Sequence, residues 1–314
     1  MPILTHASVM AENQVINYRW RGQEQSPRSS PILSMVGGLH RNKAGLVGLV
    51  ILTIIILLAL TAPWVAPHDP LAQDLSRRLQ PPGWLEGGQW TNLLGTDHVG
   101  RDILSRVIYG ARISLAVGFS SVLVAGIFGM VMGLLAGYYG GWLDDLISRI
   151  IDIQLAVPYL LLAVALVMIL GSALRNIIFV LVLYGWTVYA RLIRAETLSV
   201  REQDYVLAAR TVGGSNRRII FRHILPNVIS PMIVMTTLEI ANMIIFEAGL
   251  SFLGLGVQPP TPSWGGMLSD GRDYIPVGIW WPATFPGSAI FFTVLAVNLV
   301  GDWLRDLLDP RMKN

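Results

Sequence analysis

Between Gly45 and Ala66 the chain reads GLVGLVILTIIILLALTAPWVA, a run without one charged side chain. A helix needs about 20 mostly apolar residues to cross the hydrocarbon of a bilayer, so this run fits a single crossing. Five more apolar stretches follow, near Ile113–Tyr138, Ile153–Leu170, Asn176–Ala190, Val228–Phe246 and Phe285–Trp303. Each is continuous rather than alternating in polarity. Since only helices and closed barrels pair every backbone group inside lipid, helices are predicted and a barrel is not. The third and fourth stretches also read as one hairpin joined by GSALRN. The expected fold class is an all-α polytopic membrane protein with six transmembrane helices. Charged residues are 14% of the 314-residue chain, against about 25% in soluble domains.

Six crossings put both termini on one side. With the N-terminus inside, 16 of the 23 Lys and Arg residues fall on the inner side, seven of them between Arg191 and Arg222. This agrees with the excess of basic residues in cytoplasmic loops. Five of the outer basic residues lie in one long segment, 67–112, and long segments cross largely regardless of charge. The parts are then a polar tail over 1–44, a first helix with an external segment over 45–112, and a core over 113–314. No secretory leader is evident in the first 40 residues. The net charge of +3 does not suggest nucleic-acid binding, and the absence of cysteine excludes disulfides and thiolate sites.

One inner segment stands out: AARTVGGSNRRIIFRHILP, 208–226. DYVLAARTV reads as a short helix that Gly213 and Gly214 break. Ser215 is placed to cap a second short helix, NRRIIFRHI, which Pro226 ends or passes on to the fifth span. An ordinary positive-inside loop would also be basic. The sharper reading is a docking knob, in which Ala208, Ala209 and Gly213 admit a partner surface and Arg217, Arg218 and Arg222 pair with it.

Within the fifth span, Glu239, Asn242 and Glu247 are candidates to line a pathway, because acids at bilayer depth usually face a cavity or partner. The alternatives are a solvated Glu247 at the interface and an Asn242 bonded to a neighbouring helix. Gly129, Gly133 and Gly137 repeat at a spacing that lets helices pack closely, within this chain or against a second one. Arg149 and Asp152 are spaced as a local ion pair. The 249–284 segment, with Trp280 and Trp281, suits either an external contact surface or plug, or aromatic packing at the interface. No catalytic or metal site is expected. The five histidines form no H-E-x-x-H, and no G-x-S-x-G occurs. No convincing internal repeat of the kind common in secondary transporters is found.

The stretches LLGTDHVGRDILSRVIYGARISL (93–115), DYVLAAR (204–210), HILPN (223–227) and LSFLGLGVQPPTPSWG (250–265) resemble the dipeptide, oligopeptide and nickel permeases of ABC importers, above all the C-type permease of dipeptide importers. The family's cytosolic Glu-Ala-Ala, Gly, Ile-x-Leu-Pro pattern falls on Ala208, Ala209, Gly213, Leu225 and Pro226. Leu207 stands in place of the Glu and His223 in place of the Ile. The resemblance covers about 42–310. It implies a type I ABC importer transmembrane domain in a bacterial or archaeal plasma membrane, with cytosolic termini. It also implies a homologous second permease, two ABC ATPase subunits, an external substrate-binding protein and a lipid setting. Coupling to the ATPases would run through 204–222, with Gly214 completing the turn. Peptide is the first cargo implied, with nickel chelate or glutathione-type peptide as alternatives; an ATP-independent secondary transporter is the distant one. The chain has no G-x-x-x-x-G-K-[ST] loop, so ATP and its magnesium would be held by the partner subunits and no cofactor by this chain.

Overall fold

The computed structural model describes residues 42–308. Among these the regular structure is helical, with one isolated bridge between Thr96 and Asp102. Helix α1 spans Lys43–Leu60, and Asn42 caps it by accepting from the Gly45 amide at 3.0 Å. A single turn, α2 (Ala62–Val65), ends it. Helix α3 (Ile103–Tyr139) follows, then α4 (Gly141–Ala156), α5 (Tyr159–Leu170) and α6 (Leu174–Arg201). The elbow helices α7 (Asp204–Thr211) and α8 (Asn216–Ile219) lead through a π-type turn, Ile220–Ile224, into α9 (Leu225–Phe252). Helices α10 (Trp264–Arg272) and α11 (Trp281–Leu308) complete the fold. Five helices are long and apolar enough to cross a membrane, and α4 with α5 makes a sixth crossing if the bent pair is one span.

The sequence places the crossings correctly and their ends less well. Asp102 caps α3 ten residues before the apolar run, its side chain accepting from the Ser105 amide at 2.8 Å. The third span is corrected more deeply, because it is not one helix over 153–170. It bends by 90° between α4 and α5. Val157 precedes Pro158 and is held extended (φ −95°, ψ 125°), the conformation a following proline imposes. Gln154 secures the bend from the side, donating to the Leu183 carbonyl and accepting from Trp186 Nε1 at 3.0 Å.

The bundle is built on small residues. A Cβ on Gly129, Gly133 or Gly137 would lie within 2.5–2.7 Å of α6 atoms, so the four-residue repeat packs α3 on α6 inside this chain. Gly45 and Gly48 bring α1 equally close to Trp303 and Leu299 of α11. The largest core cluster joins α3, α6 and α9 through Val117, Leu181, Tyr189 and Ile244, all buried. With the crossings alternating, residues 42, 202–215 and 308 come to one end of the bundle, hereafter the elbow end.

Candidate functional site: a helical elbow and two buried acids

The elbow begins where α6 ends. Arg201 Nη1 donates to the Gly137 and Tyr138 carbonyls at 3.1 and 3.2 Å, closing the last turn of α3 against α6. Helix α7 has Asp204 in its first turn and Arg210 in its last, each sign matching the local end of the helix dipole. The two glycines break it for different physical reasons. Gly213 adopts φ +83°, the left-handed conformation that a side chain would strain, yet it has open space around it. Gly214 is limited by contact instead: a Cβ there would lie 2.6 Å from the Ala209 carbonyl oxygen. Ser215 then caps α8, accepting from the Arg218 amide at 3.4 Å.

Of the two readings of Pro226, the structure takes the second: 216–224 passes on into the fifth span rather than ending as a separate short helix. Asn216–Phe252 runs as one 37-residue unit in which a π-type turn links α8 to α9. Pro226 sits in the first turn of α9, where its missing N–H costs least. The elbow is therefore continuous with the fifth span. The inner side of the elbow is anchored: Val206, Ile219, Ile224 and Val228 are buried against Leu134, Tyr138 and Ile193, and Leu225 packs beside them. Tyr138 Oη donates to Asn216 Oδ1 at 2.8 Å, and Arg210 lies over the Tyr138 ring at 5.6 Å.

The outer side is open. Ala208, Gly213, Arg217, Arg218, Arg222 and Pro226 are exposed, and Ala209 and Gly214 are half-buried. None of the three arginines makes an ion pair with a described residue. The structure adds exposed apolar groups that the sequence reading missed: Tyr205, Leu207, Val212 (84% exposed) and Phe221. The available signal was the inward-facing Val206, since its neighbours on so short a helix must face outward.

The acids of α9 lie deep. Glu239 is 2% exposed; its Oε1 accepts from Asn242 Nδ2 at 3.1 Å, while Oε2 is buried without a partner. Asn242 is exposed and bonds its own helix rather than a neighbour. A solvated Glu247 is overturned: it is fully buried, accepting from Ser251 Oγ at 2.7 Å and Ser114 Oγ at 3.4 Å. Ser114 Oγ in turn accepts from the Trp264 amide at 3.4 Å, so this acid clasps α10 to α3 and α9. Two further corrections concern charge and aromatic residues. Asp152 pairs with Arg191 at 2.8 Å rather than with Arg149, and Asp144 pairs with Arg194, because α6 presents its arginines toward α4. In the 249–284 segment Trp281 is buried rather than part of an interfacial belt. Its indole donates to the Thr96 carbonyl at 3.3 Å, and Trp264 likewise donates to Val107 at 2.9 Å. Among the described residues no three His, Asp or Glu side chains gather as a metal site.

A multi-pass bundle with close glycine crossings, a bent third span and an elbow running into the fifth defines a membrane-transport permease. Comparison makes this particular. Residues 129–314 match the family "binding-protein-dependent transport system inner membrane component", and residues 32–82 match the N-terminal transmembrane domain of oligopeptide transport permease C. The chain is 49% identical over 285 residues to the di/tripeptide transport system permease protein DppC of Pseudomonas aeruginosa, covering 91% of this chain and 94% of that one. It is 49% identical over 273 residues to the dipeptide transport system permease protein DppC of Escherichia coli K12, covering 87% and 91%. The fold also matches a solved structure of the MetNI methionine ABC transporter in inward-facing conformations, with a TM-score of 0.53 at 20% identity over 66% of this chain and 98% of that one. The chain belongs to the binding-protein-dependent transport system inner membrane component family, and it is an ABC importer permease.

Proposed function

We propose that this chain imports dipeptides or short oligopeptides as one of two permeases in a complex energised by two ATPase subunits and loaded by an external binding protein. The observation that carries the cargo reading is the run of relatives at 46–49% identity named for dipeptide or di/tripeptide transport, each matched over at least 87% of this chain. Chemistry at the nucleotide belongs to the partner subunits, and this chain contributes movement. In this reading 204–226 faces the cytosol of a bacterial or archaeal cell, together with both termini.

Coupling is assigned to the outer side of the elbow. Ala208, Ala209 and Gly213 allow an ATPase subunit to approach, Tyr205, Val212 and Phe221 give it apolar contact, and Arg217, Arg218 and Arg222 give it charge. Leu225 and Pro226 carry the displacement into α9, and Gly214 keeps the elbow tight. A stiff element with two arrangements is what such coupling requires. Of the acids, Glu239 is assigned to the pathway, with Asn242 orienting it and Glu247 holding the far end of α9.

The test is ATP-dependent uptake of labelled dialanine by the reconstituted complex. Uptake should require ATP and the binding protein, and a Gly213→Trp chain should insert normally while losing ATPase coupling or assembly. Wild-type uptake by that variant would remove the elbow from the mechanism, and uptake without ATP would remove the importer reading.

A further inference from the structure

The bend in the third span leaves backbone carbonyls without intrahelical partners at a corner where Leu155, Ala156, Val157 and Pro158 are exposed in this chain. At the end of α4 the Val157 amide reaches back only to Gln154, at 3.3 Å, so the carbonyls of Leu155 and Ala156 lack intrahelical donors. A helix C-terminus carries partial negative charge. Beside it is a hollow of about 210 Å³ lined by Gln154, Leu155, Val157, Pro158, Tyr159 and Tyr184, among others. Two of its aromatic walls belong to a trio: Tyr159 and Tyr184 are 4.5 Å apart between ring centroids, and Phe246 packs on both at 4.5 and 4.9 Å. Tyr159 Oη is buried with no hydrogen-bond partner.

Glu239 is on the same helix as Phe246, about two turns away. On α9 it shares a face with Thr236, Met243 and Phe246, by the three- and four-residue spacing of a helix. Thr236 receives a hydrogen bond from Tyr189 at 3.4 Å, Met243 reaches Gly185, and Phe246 packs on Tyr184. The acid is therefore held opposite the 184–189 stretch of α6, with Oε2 unpaired. Open carbonyls and aromatic faces favour positive charge, and no basic residue is among those lining the hollow.

We propose that this bend is a binding station for a primary ammonium group of the cargo, seated on Tyr159 and Tyr184 and the open end of α4, and attracted by Glu239. Only the identity of the cation, a peptide amine, rests on the peptide-import reading.

The chain has no cysteine, so Val157→Cys in the full complex is a single reporter within this chain, read by mass spectrometry. It is treated with trimethylammonioethyl and sulfonatoethyl methanethiosulfonates, each rate being normalised to that of a free thiol. The cationic reagent should react about tenfold faster, and Glu239→Gln should abolish the preference while Glu239→Asp keeps most of it. Tyr184→Phe should keep it and Tyr184→Leu should lower it, which tests the ring independently of the acid. Equal rates in the wild-type complex, a preference unchanged by Glu239→Gln, or no reaction even with methyl methanethiosulfonate would each overturn the proposal. Dialanine should protect the reporter and N-acetyl-dialanine should not. A preserved charge preference without protection by dialanine would uphold the cation station and count against peptide as the cargo.

Discussion

At the elbow end, Arg217, Arg218 and Arg222 are exposed with no acidic partner among the described residues, whereas at the opposite end Arg101 and Arg106 are buried around one acid. There Asp97 Oδ2 lies 2.6 Å from Arg101 Nε and 3.5 Å from Arg106 Nε, with Asp270 3.5 Å from Arg101. Arg106 Nη1 also donates to the Pro70 carbonyl at 3.3 Å. Both ends are non-spanning, glycine-rich and basic in sequence. The difference is in what completes them. The far end pairs its two buried arginines with acids of this chain and ties 67–112 to α10 through Arg101 and Asp270, so it acts as a structural cap. The elbow packs only its inner side, and its three outer arginines are left without an ion-pair partner among the described residues.

The largest expected effect is at the finished end. Asp97→Asn leaves the buried Arg106 guanidinium without an acid and Arg101 with only the more distant Asp270, and should cost about 3–5 kcal/mol, seen as a lower unfolding temperature of the purified complex. An unchanged melting point would mean that this end is as open as the elbow. Gly133→Leu comes next, since its side chain would overlap the Ala190 carbonyl and Ile193 of α6. Overpacking of this kind costs about 1–3 kcal/mol and should appear as reduced yield of folded chain. At the elbow the effects on stability are smaller. Ser215→Ala removes one cap worth about 1 kcal/mol, and faster hydrogen exchange at the Arg218 amide should report it. Smallest of all, Arg217→Glu with Arg218→Glu should alter the stability of the isolated chain by no more than about 0.5 kcal/mol. The same pair should release the ATPase subunits at moderate salt; retention equal to wild type would erase the contrast between the two ends.

Much of this was readable beforehand, and the misses have physical causes. The helix at 204–211, the break at Gly213, the cap at Ser215 and the small-residue stripe on α3 all follow from local rules that act within a few residues. The bend of the third span was hidden because hydropathy continues unbroken through Pro158. What makes the proline a corner is the grip of Gln154 on α6, a contact between residues 29 apart. The Arg149–Asp152 pair failed for the same reason: a nearby residue was a weaker partner than an arginine on a packed neighbour. Trp281 carried the composition of an interfacial residue, and only the packing of α10, α11 and the Thr96 turn shows it as core.

By itself, then, the sequence determined which stretches are long and apolar enough to cross a bilayer, where its turns and caps fall, and which family it resembles, because apolar length, glycine and cap residues act locally. Only the tertiary structure decided which charges are paired, which acid is left with an unpartnered oxygen and which face of the elbow is open. Those outcomes depend on helices brought together from distant parts of the chain, where burial gives each polar group its cost and its partner.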